Sequence, residues 1–133
     1  MSRPPIEAIR SGYEALSRGD IDAWLNGVHV DATLHELADI PDSRVYRGHD
    51  EIRQWAHAAM QVVEEWQWTP EKLLHEGDEW AVVRTRFSAR GAGSGAPVEQ
   101  VIFHVLEFRD GRMIRIRGSL DRNKALEAVG LSE

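Results

Sequence analysis

The sequence predicts an α+β domain, with helices in the first half and an antiparallel sheet in the second. Three observations carry that prediction. Apolar residues recur at helical spacing only within about residues 6–66. Beyond them the chain runs in extended stretches divided by three turns of hairpin chemistry: Glu76-Gly77-Asp78-Glu79, Gly91-Ala92-Gly93-Ser94-Gly95 and Arg109-Asp110-Gly111. At 133 residues the chain has the size of one domain, so residues 1–133 form a single unit, without internal repeat or linker.

The elements follow in order. Pro4 and Pro5 suit a helix start. Ile6, Ile9, Tyr13 and Leu16 then share a helical face that ends at Gly19. Asp20 caps a second, short helix with Ile21, Trp24, Leu25 and Val28 on its inner side. Residues 32–37 read as a short strand and residues 38–48 as a loop, because turn residues there break any period. A third helix follows Gly48, opened by Asp50, with Ile52, Trp55, Ala59, Val62 or Val63, and Trp66 on one face. Strands are expected near 67–75, 79–90, 97–109 and 112–120, and residues 121–130 form a capped helix ending at Gly130.

Two strands are informative beyond their existence. Residues 101–106 (VIFHVL) are apolar on both faces apart from His104, so both faces need cover. The helices supply one cover; a second copy of the sheet is the simplest source of the other, which predicts a homodimer through the outer sheet face. On the strand 79–90, Arg84 and Arg86 oppose Val83, Thr85 and Phe87, so its outer face is wet or salt-bridged.

Composition narrows the function. There is no Cys, which removes disulfides, thiolate metal sites and cysteine nucleophiles. A net charge of −6 suits no duplex nucleic-acid partner. That charge is uneven, since residues 84–122 hold eight Arg against four Asp and Glu. No apolar run approaches the roughly 18 residues of a membrane span, and MSRPPIEAIR lacks the apolar core of a signal peptide. A cytoplasmic protein without membrane contact is expected. The six His never fall at i, i+4 on a helix, and the glycine-rich hairpin tip leads into a strand rather than a helix. Neither a metal nor a cofactor is expected.

In their order and spacing, several segments together resemble the nuclear transport factor 2-like superfamily, and within it the SnoaL-like group named for a polyketide cyclase. They are Gly19-Asp20-Ile21-Asp22, Val30-Asp31-Ala32-Thr33, Val45-Tyr46-Arg47-Gly48, Phe108-Arg109-Asp110-Gly111-Arg112 and Leu120-Asp121-Arg122-Asn123-Lys124-Ala125-Leu126. The resemblance spans about Ile6 to Leu131. It implies a cone, with three N-terminal helices packed in a strongly curved antiparallel sheet and a pocket at the open end. It also implies dimerisation through the outer sheet face, and it leaves function open because one cone hosts many chemistries.

The stretch 32–36 (ATLHE) resembles the segment that carries the catalytic carboxylate of ketosteroid isomerases, and Glu36 falls on that carboxylate. The isomerase's second acid falls on His104, and its first-helix tyrosine falls one residue from Tyr13. This implies that Glu36 moves a proton beside a carbonyl while Tyr13 and His104 donate to the oxygen that gains charge. Plainer roles stay open. Glu36 also fits a rim carboxylate paired with Arg44 or Arg47, His104 a satisfied core histidine, and Tyr13 a core position. His35 competes with Glu36, because strand neighbours face opposite ways. Trp24, Trp55, Trp68, Ile102, Leu120, Asp121 and His35 complete the expected ligand-binding set, with Asp121 also suited to cap the tail helix. The function expected is a pocket protein for a small apolar oxygenated compound. It is either a cofactor-independent isomerase, cyclase, dehydratase or hydrolase, or a non-catalytic binder, or a dimeric interaction domain with a vestigial pocket.

Overall fold

The computed structural model describes residues 6–37 and 39–131; Pro4, Pro5 and Ala38 lie outside them. The elements are α1 (Ile6–Ser17), α2 (Ile21–Leu25), β1 (Val28–His35), β2 (Val45–Arg47), α3 (Gly48–Val62), β3 (Val63–Gly77), β4 (Trp80–Gly91), β5 (Pro97–Arg109), β6 (Arg112–Ser119) and α4 (Arg122–Glu127). The chain is α+β, as its sequence predicts.

α1 buries Ile9, Tyr13 and Leu16 on its inner face. Its end is a Schellman turn: Gly19 takes φ +75°, its N–H donates to the Leu16 carbonyl, and the Asp20 N–H donates to the Ala15 carbonyl. The Asp20 side chain then accepts from the Ala23 N–H at 3.2 Å, so one residue closes α1 and caps α2. Val28 belongs to β1, which starts earlier than expected and ends at His35.

The six strands lie in the order β2-β1-β6-β5-β4-β3. Two features depart from the sequence reading. β2 lies inside the predicted loop, because its three residues become a strand only by pairing with β1, as in Leu34↔Tyr46. β1 and β6 run parallel through Leu34↔Ile116, so the sheet is mixed rather than wholly antiparallel. Strands from opposite ends of the sequence meet there, and no local pattern records such a pairing. Three register shifts along β3, the first beside Glu65 at φ +54°, bend the sheet around the helices.

The core fills the concave side. Trp24, Ile52, Ala56, Trp66, Val83 and Leu106 are buried there, and each large apolar side chain contributes roughly 1.5–3 kcal/mol. Of the two valines offered for the inner face, Val63 packs against the core and Val62 is 66% exposed, because α3 ends there and the chain turns into β3, which also carries Trp66. The convex side has its own cover. Ala125 and Leu126 of α4 pack on Val82 and Val105, with Trp80 and Phe103 beside them. The outer face of residues 101–106 is therefore partly covered by the same chain, where a second copy was expected. Asp121 caps α4 by accepting from the Asn123 N–H at 2.8 Å, and a second Schellman turn at Gly130 returns Leu131 to this cluster. Beyond α4 the outer face carries ion pairs, including Arg86–Glu71 at 2.8 Å and Arg86–Glu99 at 2.6 Å. Among the described residues no helix is long and apolar enough to cross a membrane.

Candidate functional site

A cavity of about 390 Å³ lies between α1, α3 and the concave sheet face. That volume suits a small organic molecule. Aromatic rings form much of its wall: Trp55 stands 6.1 Å from Trp24 and 6.4 Å from Trp68, and Trp68 stands 4.5 Å from Phe87, ring centre to ring centre. The start of β3 is fixed to the end of α1. Trp66 Nε1 donates to the Leu16 carbonyl at 2.7 Å, and the Trp68 N–H donates to Ser17 Oγ at 2.8 Å.

Inside this apolar wall sits one polar triangle. The Tyr13 hydroxyl lies 2.6 Å from His104 Nδ1, and the Thr85 hydroxyl donates to Tyr13 at 3.1 Å and lies 3.2 Å from the same nitrogen. Trp68 leans over the imidazole with ring centres 5.9 Å apart. Burial lowers the His104 pKa to about 4, so the ring is neutral at pH 7. Burial also pushes the Tyr13 hydroxyl above the usual tyrosine range, and the Thr85 hydrogen bond opposes it only partly. Nδ1 is occupied by the two hydroxyls, whereas no hydrogen bond joins Nε2 to another described residue, and the ring itself lines the cavity. Tyr13 and His104 thus meet, but the Tyr13 hydroxyl is bonded to the histidine, where the resemblance implies that both donate to a ligand oxygen. Thr85 escaped notice as a polar partner, although strand alternation already set it on the inner face with Val83 and Phe87.

Glu36 occupies the rim, just beyond the end of β1. Its Oε1 accepts from the Arg44 N–H at 2.8 Å and its Oε2 from the Tyr46 hydroxyl at 3.4 Å. The link to Arg44 runs through the backbone; the guanidinium lies over the Tyr46 ring, 4.9 Å from its centre. The Arg47 backbone N–H donates to Glu51 Oε1 at 2.8 Å, and among the described residues no ion pair joins its guanidinium to Glu36. His35 borders the same rim but belongs to the outer row of β1, hydrogen-bonded to Thr33 at 3.2 Å. Partial burial and then the charges of Arg115, Arg117 and Arg47 lower its pKa, against a smaller opposing pull from Glu107.

Trp24, Trp55, Trp68 and Ile102 line the cavity as expected. Leu120 and Asp121 do not. Leu120 is 40% exposed, and the Asp121 side chain is committed to capping α4. Both follow the end of β6, where the chain leaves the concave face. Gly118 lines the cavity beside His104, and a Cβ there would stand 3.3 Å from His104 Cδ2 and 3.1 Å from Leu37 Cδ2. Among the described residues no group of three or more His, Asp and Glu side chains could hold a metal ion.

Residues 9–116 match the family model of the SnoaL-like domain. No curated protein matches the chain. Among solved structures, it is similar to a nuclear transport factor 2-like protein of unknown function from Burkholderia pseudomallei K96243. The two are 21% identical at a TM-score of 0.77, over 98% of this chain and 100% of that one. It is similar to TerC, co-crystallised with polyporic acid, at 22% identity and a TM-score of 0.76 over 89% of this chain and 92% of that one. It is also similar to a candidate polyketide cyclase from Sinorhizobium meliloti, at 25% identity and a TM-score of 0.67 over 84% and 93%.

Proposed function

This chain belongs to the SnoaL-like domain family and holds a small-molecule pocket, and we propose that it binds a small, largely apolar, oxygenated compound and moves a proton on it. One observation carries this reading: a neutral imidazole, its Nδ1 fixed by two hydroxyls and its Nε2 without a partner among the described residues, lines an aromatic cavity whose rim holds a carboxylate. In the proposed step a ligand carbonyl oxygen accepts a hydrogen bond from His104 Nε2. Glu36 takes a proton from the carbon beside that carbonyl, the C–H pair becomes a carbon–carbon double bond, and the carbonyl π pair moves onto the oxygen. The proton then returns to the same carbon or another one. His104 stays a donor throughout, stabilising the oxygen as it gains charge, and Tyr13 holds its ring. Isomerisation and ring closure both begin with such a proton removal. A structural neighbour co-crystallised with polyporic acid and another described as a candidate polyketide cyclase support a ligand of this class.

A second reading, a binder without turnover, is favoured by the state of Glu36, whose two oxygens already accept hydrogen bonds from Arg44 and Tyr46. Thermal-shift and turnover measurements with cyclic ketones, enones, epoxides and polyporic acid separate the two. Proton exchange or conversion that Glu36→Gln abolishes supports the enzyme. Stabilisation by a ligand that is unchanged in Glu36→Gln, without conversion, supports the binder. If no compound shifts the melting curve, both readings fail.

We also propose a homodimer through the part of the outer sheet that α4 leaves uncovered, around Arg84, Arg86, Glu71 and Glu99. Sedimentation should show a species of twice the chain mass; a single-chain mass at high micromolar concentration would contradict it.

A further inference from the structure

We propose that Tyr13 and Thr85 together lock His104 in the Nε2–H tautomer, so that the cavity selects ligands whose buried end is a hydrogen-bond acceptor, such as a ketone, over the matching alcohol. The proposal deepens the reading given above and rests on it for the ligand.

Counting the protons of the triangle fixes the tautomer. Tyr13 Oη, Thr85 Oγ1 and His104 Nδ1 stand mutually 2.6, 3.1 and 3.2 Å apart, and among the described residues neither hydroxyl bonds to anything else. Thr85 is fully buried, so no solvent can accept its proton. With Nδ1 bare, both hydroxyl protons find acceptors inside the triangle: Thr85 donates to Tyr13, and Tyr13 donates to Nδ1. With Nδ1 protonated, the triangle contains three protons and only the two oxygens to receive them. At most Nδ1–H reaches Tyr13 and Tyr13 reaches Thr85, and the Thr85 proton is stranded. A buried donor without an acceptor is costly enough to shift the tautomer ratio by about tenfold or more. The two hydroxyls are redundant, since either one alone still offers a donor to Nδ1. Thr85 is therefore a positioning residue, acting through the nitrogen it shares with Tyr13.

The consequence reaches the ligand. A neutral imidazole with Nδ1 accepting carries its proton on Nε2, and the ring lines the cavity. A carbonyl oxygen completes that donor. An alcohol oxygen can also accept from it, but the alcohol's own proton must then cross a mostly apolar lining to find an acceptor such as Glu36 or Gln100.

The test reads the tautomer directly. Long-range proton–nitrogen correlation spectra of histidine-labelled protein at pH 7 should show His104 as Nε2–H only, in the wild type and in each of Tyr13→Phe and Thr85→Val. In the double variant a second tautomer should appear. An Nδ1–H or mixed signal in the wild type overturns the lock, as does a double variant that keeps Nε2–H alone. Should the double variant not fold, the wild-type spectrum and the two single variants decide by the same criteria. For the ligand, 1-tetralone should bind the wild type about tenfold or more tightly than 1-tetralol. Equal affinities overturn the selectivity. Failure of both probes to bind while His104 reads Nε2–H overturns the proposed function and leaves the lock standing, because the spectrum is taken without ligand.

Discussion

The two ends of the cavity are built on opposite principles. At the depth, Thr85 and His104 come from the paired strands β4 and β5 and Tyr13 from α1, 72 and 91 residues away; they are enclosed by aromatic rings and satisfy one another. At the rim, Glu36, Arg44 and Tyr46 come from one short stretch, are half-exposed, and are joined through a backbone N–H and a long hydroxyl contact. The difference teaches where chemistry is fixed and where it is adaptable. Burial makes the deep group neutral and its geometry expensive to disturb. The rim carboxylate keeps access to water and can exchange partners when a ligand arrives.

Substitution should expose that contrast as a gradient. Tyr13→Ala removes a buried ring together with its hydroxyl, and we expect a loss of about 3–5 kcal/mol in denaturant unfolding. A loss below about 1 kcal/mol would mean that the deep end is not the packed region described. The next largest effect is pH-dependent. The His104 pKa is about 4 in the fold and near 6.5 when unperturbed. Between these values the unfolded chain binds the proton and the folded chain does not. Stability should thus be full above about pH 6.5 and fall as pH drops toward 4, by up to about 3 kcal/mol. His35, also lowered, adds a slope of the same sign, so the difference between wild type and His104→Phe isolates the deep histidine. Equal pH slopes in the two proteins would break the comparison.

Gly118→Ala probes the same end more gently. Its Cβ would crowd Leu37, Ile102 and His104 at 3.1–3.3 Å, so a cost of about 1–2 kcal/mol and a displaced His104 resonance are expected. At the rim, Glu36→Gln should change stability by less than about 1 kcal/mol, since the amide oxygen can still accept from Arg44. If Glu36 moves the proton, the same variant should lower turnover by about a hundredfold or more. A large melting shift in Glu36→Gln would make the rim as structural as the depth.

Parts of this architecture are legible in the sequence because they are local. Gly19 followed by Asp20, the cap at Asp121 and the hairpin turns act within a few residues, and each forms where its chemistry predicts. What depends on distant partners is not legible. β2 exists through β1, β1 meets β6 in parallel, and α4 folds back over Val105. The site divides in the same way. Tyr13 and His104 follow from the family resemblance, whereas Thr85 reads along the chain only as a strand residue. Its role arises because two paired strands and a helix bring its hydroxyl to the nitrogen of His104 and the hydroxyl of Tyr13. Leu120 and Asp121 lie outside the cavity lining for the converse reason: they are near the site in sequence, but the chain has already left the concave face, and Asp121 takes its other expected role as the α4 cap.

The central claim is that a ligand enters the aromatic cavity and meets His104 at its polar end. The five Trp provide the most direct test, because Trp55 and Trp68 line the cavity while Trp80 packs against α4 on the opposite face. In a nuclear magnetic resonance titration with 1-tetralone, the indole signals of Trp55 and Trp68 and the Nε2–H signal of His104 should move along one saturating curve, with Trp80 unmoved. A curve carried by Trp80 alone, or one that leaves His104 where it began, would contradict the account.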